Sequence, residues 1–332
     1  MNESNPTLLN PLLSYLVVLT IVFFSGGQAT EIQGRQSGGE FDVYLLAGQS
    51  NMEGQGVVDL DHPQHYNSGK GILKNVMKNP KMAAQYQHIV DKQGNFVVLD
   101  DVFVRFKTRH RIKTGQLTVG FTGYEGQHHI GPEFQLGHVV GKASSNPVLL
   151  IKTAWGGKSL FKDFRPPSAP GDTGEYFTKM IAEYREGIQN YEREFPELKN
   201  RQPVLKGFVW FQGWNDMFDP QALREYEDNL VHLIRDVRKE LSVPHLPVVI
   251  GELGNGGEKA SANMASIRRA QHQAATKRGL INVTFVKTTD FARPKEESPN
   301  ITHGHHWFGN AESYFLIGDA LGQALIRLSK PK

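Results

Sequence analysis

The sequence predicts a single α/β domain, a three-layer α/β/α sandwich with a central five-stranded parallel sheet. Two observations predict it. Five short runs rich in β-branched residues, at 43–47, 148–153, 207–211, 248–251 and 283–288, are apolar along their length, as strands buried on both faces are. Segments with helical spacing accompany the later ones, at 133–143, 175–195, 221–241, 259–278 and 311–328. Such alternation builds a parallel sheet covered on both sides. A chain of 332 residues is ample for this core, and 39% hydrophobic with 21% charged residues is an ordinary globular composition.

Along the chain, residues 12–24 (LLSYLVVLTIVFF) come first, an uncharged apolar run shorter than the ~20 residues a spanning helix needs. The small residues Ser25, Gly26, Gly27 and Ala29 follow it. This is the shape of a secretory signal, although no Lys or Arg precedes it. Residues 1–29 are therefore expected to be a signal peptide cleaved after Ala29, with 30–40 a linker and the chain exported to the periplasm or beyond. A retained N-terminal anchor is the alternative.

The domain proper is expected over 41–329. Its first run opens the stretch DVYLLAGQSNMEGQG (42–56), where a buried strand ends on Gly-Gln-Ser-Asn. The polar residues after the strand read as a loop that exposes Ser50 as a nucleophile. Residues 55–129 break the rhythm with Gly, Asn and Pro turns and two strand-like patches, 96–106 and 116–121. They read as an insertion decorating the first βα connection. Pro147 punctuates the approach to the second strand, as Pro244 and Pro247 do for the fourth.

Ligand crevices in open parallel sheets lie beyond the carboxyl ends of the strands. The residues following the five runs are GQSN, AWGG, QGWND, GELG and TTD, and together they mark one polar rim. Strand-to-helix turns also need Gly for their own geometry, so the junctions weigh together rather than singly. A formal charge of +3, with no basic block, argues against nucleic acid as a partner. The absence of Cys excludes disulfides, thiolate metal sites and a Cys nucleophile.

Ser50 needs a base, and His303, His305 and His306 crowd a loop before the last helix. An early serine and a late histidine in a parallel α/β chain reach the same rim, and imidazole takes and returns a proton near neutral pH. An oxyanion needs fixed donors. Gly156 and Gly157 offer backbone N–H groups, and Asn215 offers a side-chain amide. Three of the four Trp residues, Trp155, Trp214 and Trp307, fall in the same loops and suggest an aromatic wall for sugar rings. The polar Gln49 and Gln212 join them as expected substrate contacts. Gly48-Gln49-Ser50-Asn51-Met52 carries Met where a nucleophile elbow of the α/β-hydrolase type has Gly, so that fold is disfavoured.

GQSNM, AWGG and QGWND, with the late His before a helix ending YFLIGDALGQAL, resemble the SGNH hydrolases. The branch most similar contains sialate O-acetylesterases and the acetylxylan esterases of carbohydrate esterase family 6. IGPEFQLG (130–137) and SIRRAQ (266–271) are further similar stretches. The resemblance implies a flavodoxin-like sandwich with Ser50 as nucleophile and as one oxyanion donor. A Gly of Gly156-Gly157 and Asn215 would complete the hole, and His306 would be the base. The chain departs from the pattern at Trp214, where the branch usually has an acid, and at His303, where the family has an Asp three residues before the base. Asp290, after the fifth run, is the expected orienting acid, with Glu296 and Glu297 as weaker candidates and a Ser–His dyad as the alternative.

The expected activity is hydrolysis of O-acetyl esters on a carbohydrate through an acyl-enzyme, with no metal or other cofactor. The displaced Asp also keeps open a non-catalytic carbohydrate-binding protein on the same fold. A metal-dependent hydrolase built on His303, His305 and His306 with His128 and His129 is disfavoured, because adjacent side chains in an extended loop point apart.

Overall fold

The computed structural model describes residues 38–59 and 66–330. The expected signal peptide, and the linker up to residue 37, lie outside the described residues. β1 (Glu40–Gly48) runs into the single turn α1 (Ser50–Glu53) and the short β2 (Gly56–Val57). One-turn helices α2 (Leu73–Val76) and α3 (Ala83–Tyr86) follow, then β3 (Val102–Lys107), β4 (Ile112–Gln116) and β5 (His129–Ile130). The regular alternation is α4 (Pro132–Ala143), β6 (Val148–Ala154), α5 (Glu175–Glu194), β7 (Gln202–Phe211), α6 (Pro220–Glu240), β8 (Val248–Gly251), α7 (Ala262–Ala275), β9 (Val283–Val286) and α8 (Ala311–Ser329).

The five expected strands are adjacent and parallel, in the order β6-β1-β7-β8-β9. The sheet has seven strands rather than five, because β3 adds parallel to β6 and β4 antiparallel to β3. Both new strands come from the 55–129 segment, so that segment extends the sheet as well as decorating it. Its 96–106 patch supplies Phe103 to one face of the sheet and Val102, Val104 and Phe106 to the other, which is why it joins the core. The 116–121 patch follows the edge strand β4 as a loop, with Leu117 turned inward.

β1 explains the continuous apolar runs. Phe41, Val43, Leu45 and Ala47 pack under α5, α6 and α7, while Tyr44 and Leu46 pack under α4 and α8. Helix starts follow local chemistry. Asp219 accepts from Gln221 N at 2.7 Å and Ala222 N at 3.1 Å to cap α6, and Ser261 and Asn310 cap α7 and α8. Pro132 and Pro220 occupy first-turn positions, where a missing N–H costs nothing.

Candidate active site

The first junction is shaped by two glycines. A Cβ at Gly48 would stand 2.1 Å from the Phe211 carbonyl oxygen, so β1 and β7 approach here as closely as backbones can. Gly54 ends α1 with φ +95, and a Cβ there would meet Gly131 at 2.6 Å. Between them Gln49 is extended and Ser50 opens α1, with Ser50 only 8% exposed. The turn is clamped from below by the fully buried Lys152, whose Nζ donates to the carbonyls of Glu53 and Phe121, both at 2.8 Å, and to Glu133 Oε2 at 2.7 Å. Gln55 Nε2 donates to Ser50 O at 3.3 Å, and the Tyr124 hydroxyl donates to Gln55 Oε1 at 2.5 Å, tying the 55–129 segment to the same turn.

Gln49 orients Asn215. Its Oε1 accepts from Gly213 N at 3.2 Å and Asn215 N at 3.4 Å, and its Nε2 donates to Asn215 Oδ1 at 3.3 Å. With its oxygen engaged, the Asn215 amide presents Nδ2 outward, where one hydrogen goes to Gly157 O at 2.7 Å. An amide carries two such hydrogens, so the second is left for a ligand.

The 156–161 loop is fixed by Asp216, whose carboxylate accepts from Leu160 N at 3.0 Å, Phe161 N at 2.8 Å and Gln212 Nε2 at 2.6 Å. Burial pushes the Asp216 carboxyl up to about 6 despite these donors. A Cβ at Gly156 would stand 3.7 Å from Ser50 Cβ, which brings this loop against the serine. The Gly156 N–H hydrogen-bonds the Glu53 carboxyl, which burial holds above its ordinary range against the pull of Lys152 and Arg109. Gly157 is exposed, with φ +73 and open space where a side chain would stand.

The histidine loop (Gly304–Gly309) reaches the same rim. Asn51 Nδ2 donates to His305 O at 3.0 Å, and Asn255 Nδ2 donates to it at 2.9 Å. The Tyr314 hydroxyl lies 2.7 Å from Asn51 Oδ1 and 3.3 Å from His306 O. The His306 ring packs 4.0 Å from that of His305 and 6.4 Å from that of His303. Burial, reinforced by the charges of His305 and His303, pushes His306 down to about 3, so its imidazole is neutral at physiological pH. Trp307 and Phe308 follow with φ +52 and +54, a left-handed kink that non-glycine residues rarely adopt. Ser50 and the histidines thus share one edge of the sheet through Asn51. Among the described residues no direct hydrogen bond joins the Ser50 hydroxyl to an imidazole, and catalytic contacts are often long before substrate binds.

Several expected site residues lie elsewhere. Asp290 is exposed and its carboxylate faces Lys287 Nζ at 3.3 Å, so it does not orient His306. Glu252 Oε2 accepts from Thr288 N, Thr289 N and Thr289 Oγ1, which holds these two residues inward, and Asp290 next in sequence faces solvent. Glu296 and Glu297 sit on an exposed turn. The charges that act on His306 come from imidazoles, not from a carboxylate. Trp307 is 2% exposed and belongs to the core under α8, because the kink at 307–308 turns its ring inward. Gln49 and Gln212 are buried and spend their amides on the protein, Gln212 on Lys158 O, Asp216 and Tyr226. Trp155 is half-buried against Phe164 and Tyr176. Trp214 alone of the three lies on this rim, next in sequence to Asn215 and with its ring 5.8 Å from that of His305.

Asn51 and Glu53, which tie the serine turn to the histidine loop and to Gly156, were not singled out in the sequence; Asn51 stands inside the GQSN motif, and Glu53 had no signal beyond its nearness to it. The further motifs prove to be struts. Glu133 pairs with Lys152, Arg268 donates to the carbonyls of Leu253, Asn255 and Gly257, and Gln271 bridges Gln212 O and Gly251 O.

Among the described residues no group of three or more His, Asp or Glu side chains is arranged to hold a metal ion. A probable carbohydrate esterase of Arabidopsis thaliana is 22% identical over 223 residues, covering 65% of this chain and 70% of its own. A solved structure of a protein from Arabidopsis thaliana superposes with a TM-score of 0.54 at 16% identity, over 87% of this chain and 98% of its own, which is a likeness of fold. A carbohydrate acetylesterase from Xanthomonas citri gives 0.48 at 17% identity, over 85% of this chain and 55% of its own. The family model for carbohydrate esterases described as sialic acid-specific acetylesterases matches residues 40–326, nearly the whole described chain, and the protein belongs to that family.

Proposed function

We propose that the protein is an exported serine esterase that removes acetyl groups from a carbohydrate, with acetylated xylan and O-acetylated sialic acid as the candidate substrates. The Ser50 hydroxyl attacks the acetyl carbonyl while His306 takes its proton. The oxyanion is held by the Ser50 N–H, the free Nδ2 hydrogen of Asn215 and the Gly157 N–H, since Glu53 engages Gly156. His306 then returns the proton to the departing sugar oxygen, and water hydrolyses the acetyl-serine. In the absence of a facing carboxylate, His306 works in a Ser–His dyad. The observation that supports this reading is the Gln49–Asn215 pair, in which buried Gln49 engages the oxygen of the half-buried Asn215 amide and so turns its Nδ2 toward the rim that carries Ser50 and Gly157. Export rests on the apolar run at 12–24 and its small-residue end.

The decisive experiment is acetate release from acetylxylan and from 4-nitrophenyl acetate by the wild type and Ser50→Ala, with mass-spectrometric detection of an organophosphonate on Ser50. Loss of release in the variant and labelling of the wild type are expected. An unlabelled Ser50 with retained sugar binding would instead indicate a carbohydrate-binding protein.

A further inference from the structure

We propose that Phe218 and Trp214 form a stacking platform for the sugar rings next to the acetylated one, so that the preferred substrate is a chain of neutral pyranoses rather than a single sugar. This rests on the esterase reading above. Phe218 is 68% exposed, the most exposed of the large apolar side chains in the described structure. Its ring stands 5.9 Å from that of Trp214 at 66°, and Trp214 stands 5.8 Å from His305 at 46°. A row of rings therefore leads from the histidines out to solvent.

The backbone under the platform is held in place. Both rings ride on the turn that carries Asn215, running from Trp214 through the 3-10 segment Asn215–Phe218. Asn263 Nδ2 holds the Met217 carbonyl at 2.8 Å, and Asp219 anchors the next residue as the cap of α6. An aromatic ring held in water by a fixed turn contributes nothing to the core, and its apolar face is available to the C–H face of a pyranose.

The direction of the row selects its occupant. The imidazole that returns a proton must lie beside the departing sugar oxygen, so the sugar side of the substrate is the histidine side, and the rings begin there. An acyl chain would leave Ser50 on the other side of the carbonyl. Open, tilted rings along a rim also suit successive sugars better than a fatty chain, which needs an enclosing slot.

The test uses acetylated xylo-oligosaccharides of increasing length, 4-nitrophenyl acetate and 4-nitrophenyl octanoate, with wild type, Phe218→Ala and Phe218→Trp. The expected result is a wild-type kcat/KM that rises with oligosaccharide length. In Phe218→Ala the ratio of long oligosaccharide to 4-nitrophenyl acetate should fall about tenfold through KM, and Phe218→Trp should restore it. An unchanged ratio overturns the platform, as does a selective loss on the octanoate ester. Binding of unacetylated xylohexaose, followed through Trp fluorescence in the Ser50→Ala background, reads the platform without catalysis. Weaker binding on adding Phe218→Ala supports it even if no esterase activity is found, and equal binding overturns it.

Discussion

Asn51 grips the backbone carbonyl of His305 at 3.0 Å, joining the residue after the proposed nucleophile to the histidine loop across 254 positions of sequence. The same side chain takes its second contact from Tyr314 in α8, whose hydroxyl also reaches His306 O. Serine and imidazole arrive from opposite ends of the chain, and this amide links the turn that carries one to the loop that carries the other. Asn51→Ala should therefore lower kcat by about 10², the loss expected when a catalytic group drifts by about an ångström. Fluorophosphonate labelling of Ser50 should slow in parallel. Tyr314→Phe removes only the outer link and should cost less. Full activity in Asn51→Ala would show that the loop holds itself in place.

With His306 as the proposed base, its depressed basicity predicts an acid limit for activity. An ordinary imidazole, with a pKa of ~6.5, is mostly protonated at pH 5 and useless as a base. His306, pushed down to about 3, stays neutral there. The acid limb of kcat/KM should consequently lie below pH 5, and His305→Ala, which removes one of the charges opposing protonation, should move it upward. Stability is a poorer reporter. Between the ordinary imidazole value and about 3 the unfolded chain binds a proton that folded His306 refuses, so stability falls as pH falls. Asp216, raised to about 6, binds a proton in the folded state between its ordinary value and 6, which opposes that trend. A limb near 6.5 that His306→Ala abolishes would show that the imidazole keeps its ordinary basicity in solution, and a limb unmoved by His305→Ala would show that the neighbouring ring does not act on it.

The Gln49–Asn215 pair predicts a graded pair of defects. Asn215→Ala removes the proposed oxyanion donor outright and should lower kcat by about 10²–10³ with little change in KM. Gln49→Ala leaves the amide in place but frees it to rotate, so its loss should be smaller. If the two variants lose activity equally, Gln49 acts on more than Asn215. If neither loses activity, the oxyanion is held elsewhere.

The frame of the molecule was legible because burial on both faces forces apolar runs in β1, β6, β7 and β8, and the half-buried edge strand β9 keeps the β-branched character of its neighbours. β3 was legible as the strand-like patch at 96–106 but not as a member of the sheet, because it stands in a loop-rich stretch outside the strand–helix alternation. The meeting of Ser50 and Asn215 on one rim was legible because the ends of adjacent parallel strands β1 and β7 must lie side by side, and Gln49 is found bridging the two junctions. The orienting acid was not legible, because Asp290 and Glu252 both follow strands. Only the fold shows that Glu252 turns inward onto Thr288 and Thr289 while Asp290 faces solvent. Trp307 misled for a related reason: a left-handed backbone at 307–308 reverses the side on which the ring falls, and no spacing rule anticipates that.

The buried pair beneath the nucleophile predicts a separable effect on stability. Lys152 and Glu133 are fully buried, and Glu133 also accepts from Gly131 N at 3.0 Å, so every polar atom in the cluster depends on its partners. Lys152→Met leaves a carboxyl without its cation and two carbonyls without a donor, and should cost about 3–5 kcal/mol in urea unfolding. The double variant Lys152→Met/Glu133→Leu removes both charges and should recover much of that loss, because a desolvated ion pair is replaced by apolar volume. Activity should not recover with it. Neither variant keeps the Lys152 ammonium on Glu53 O, so α1 loses its clamp and Ser50 its fixed position. Recovery of stability together with kcat would show that the pair supports the fold alone and leaves the serine turn to set itself.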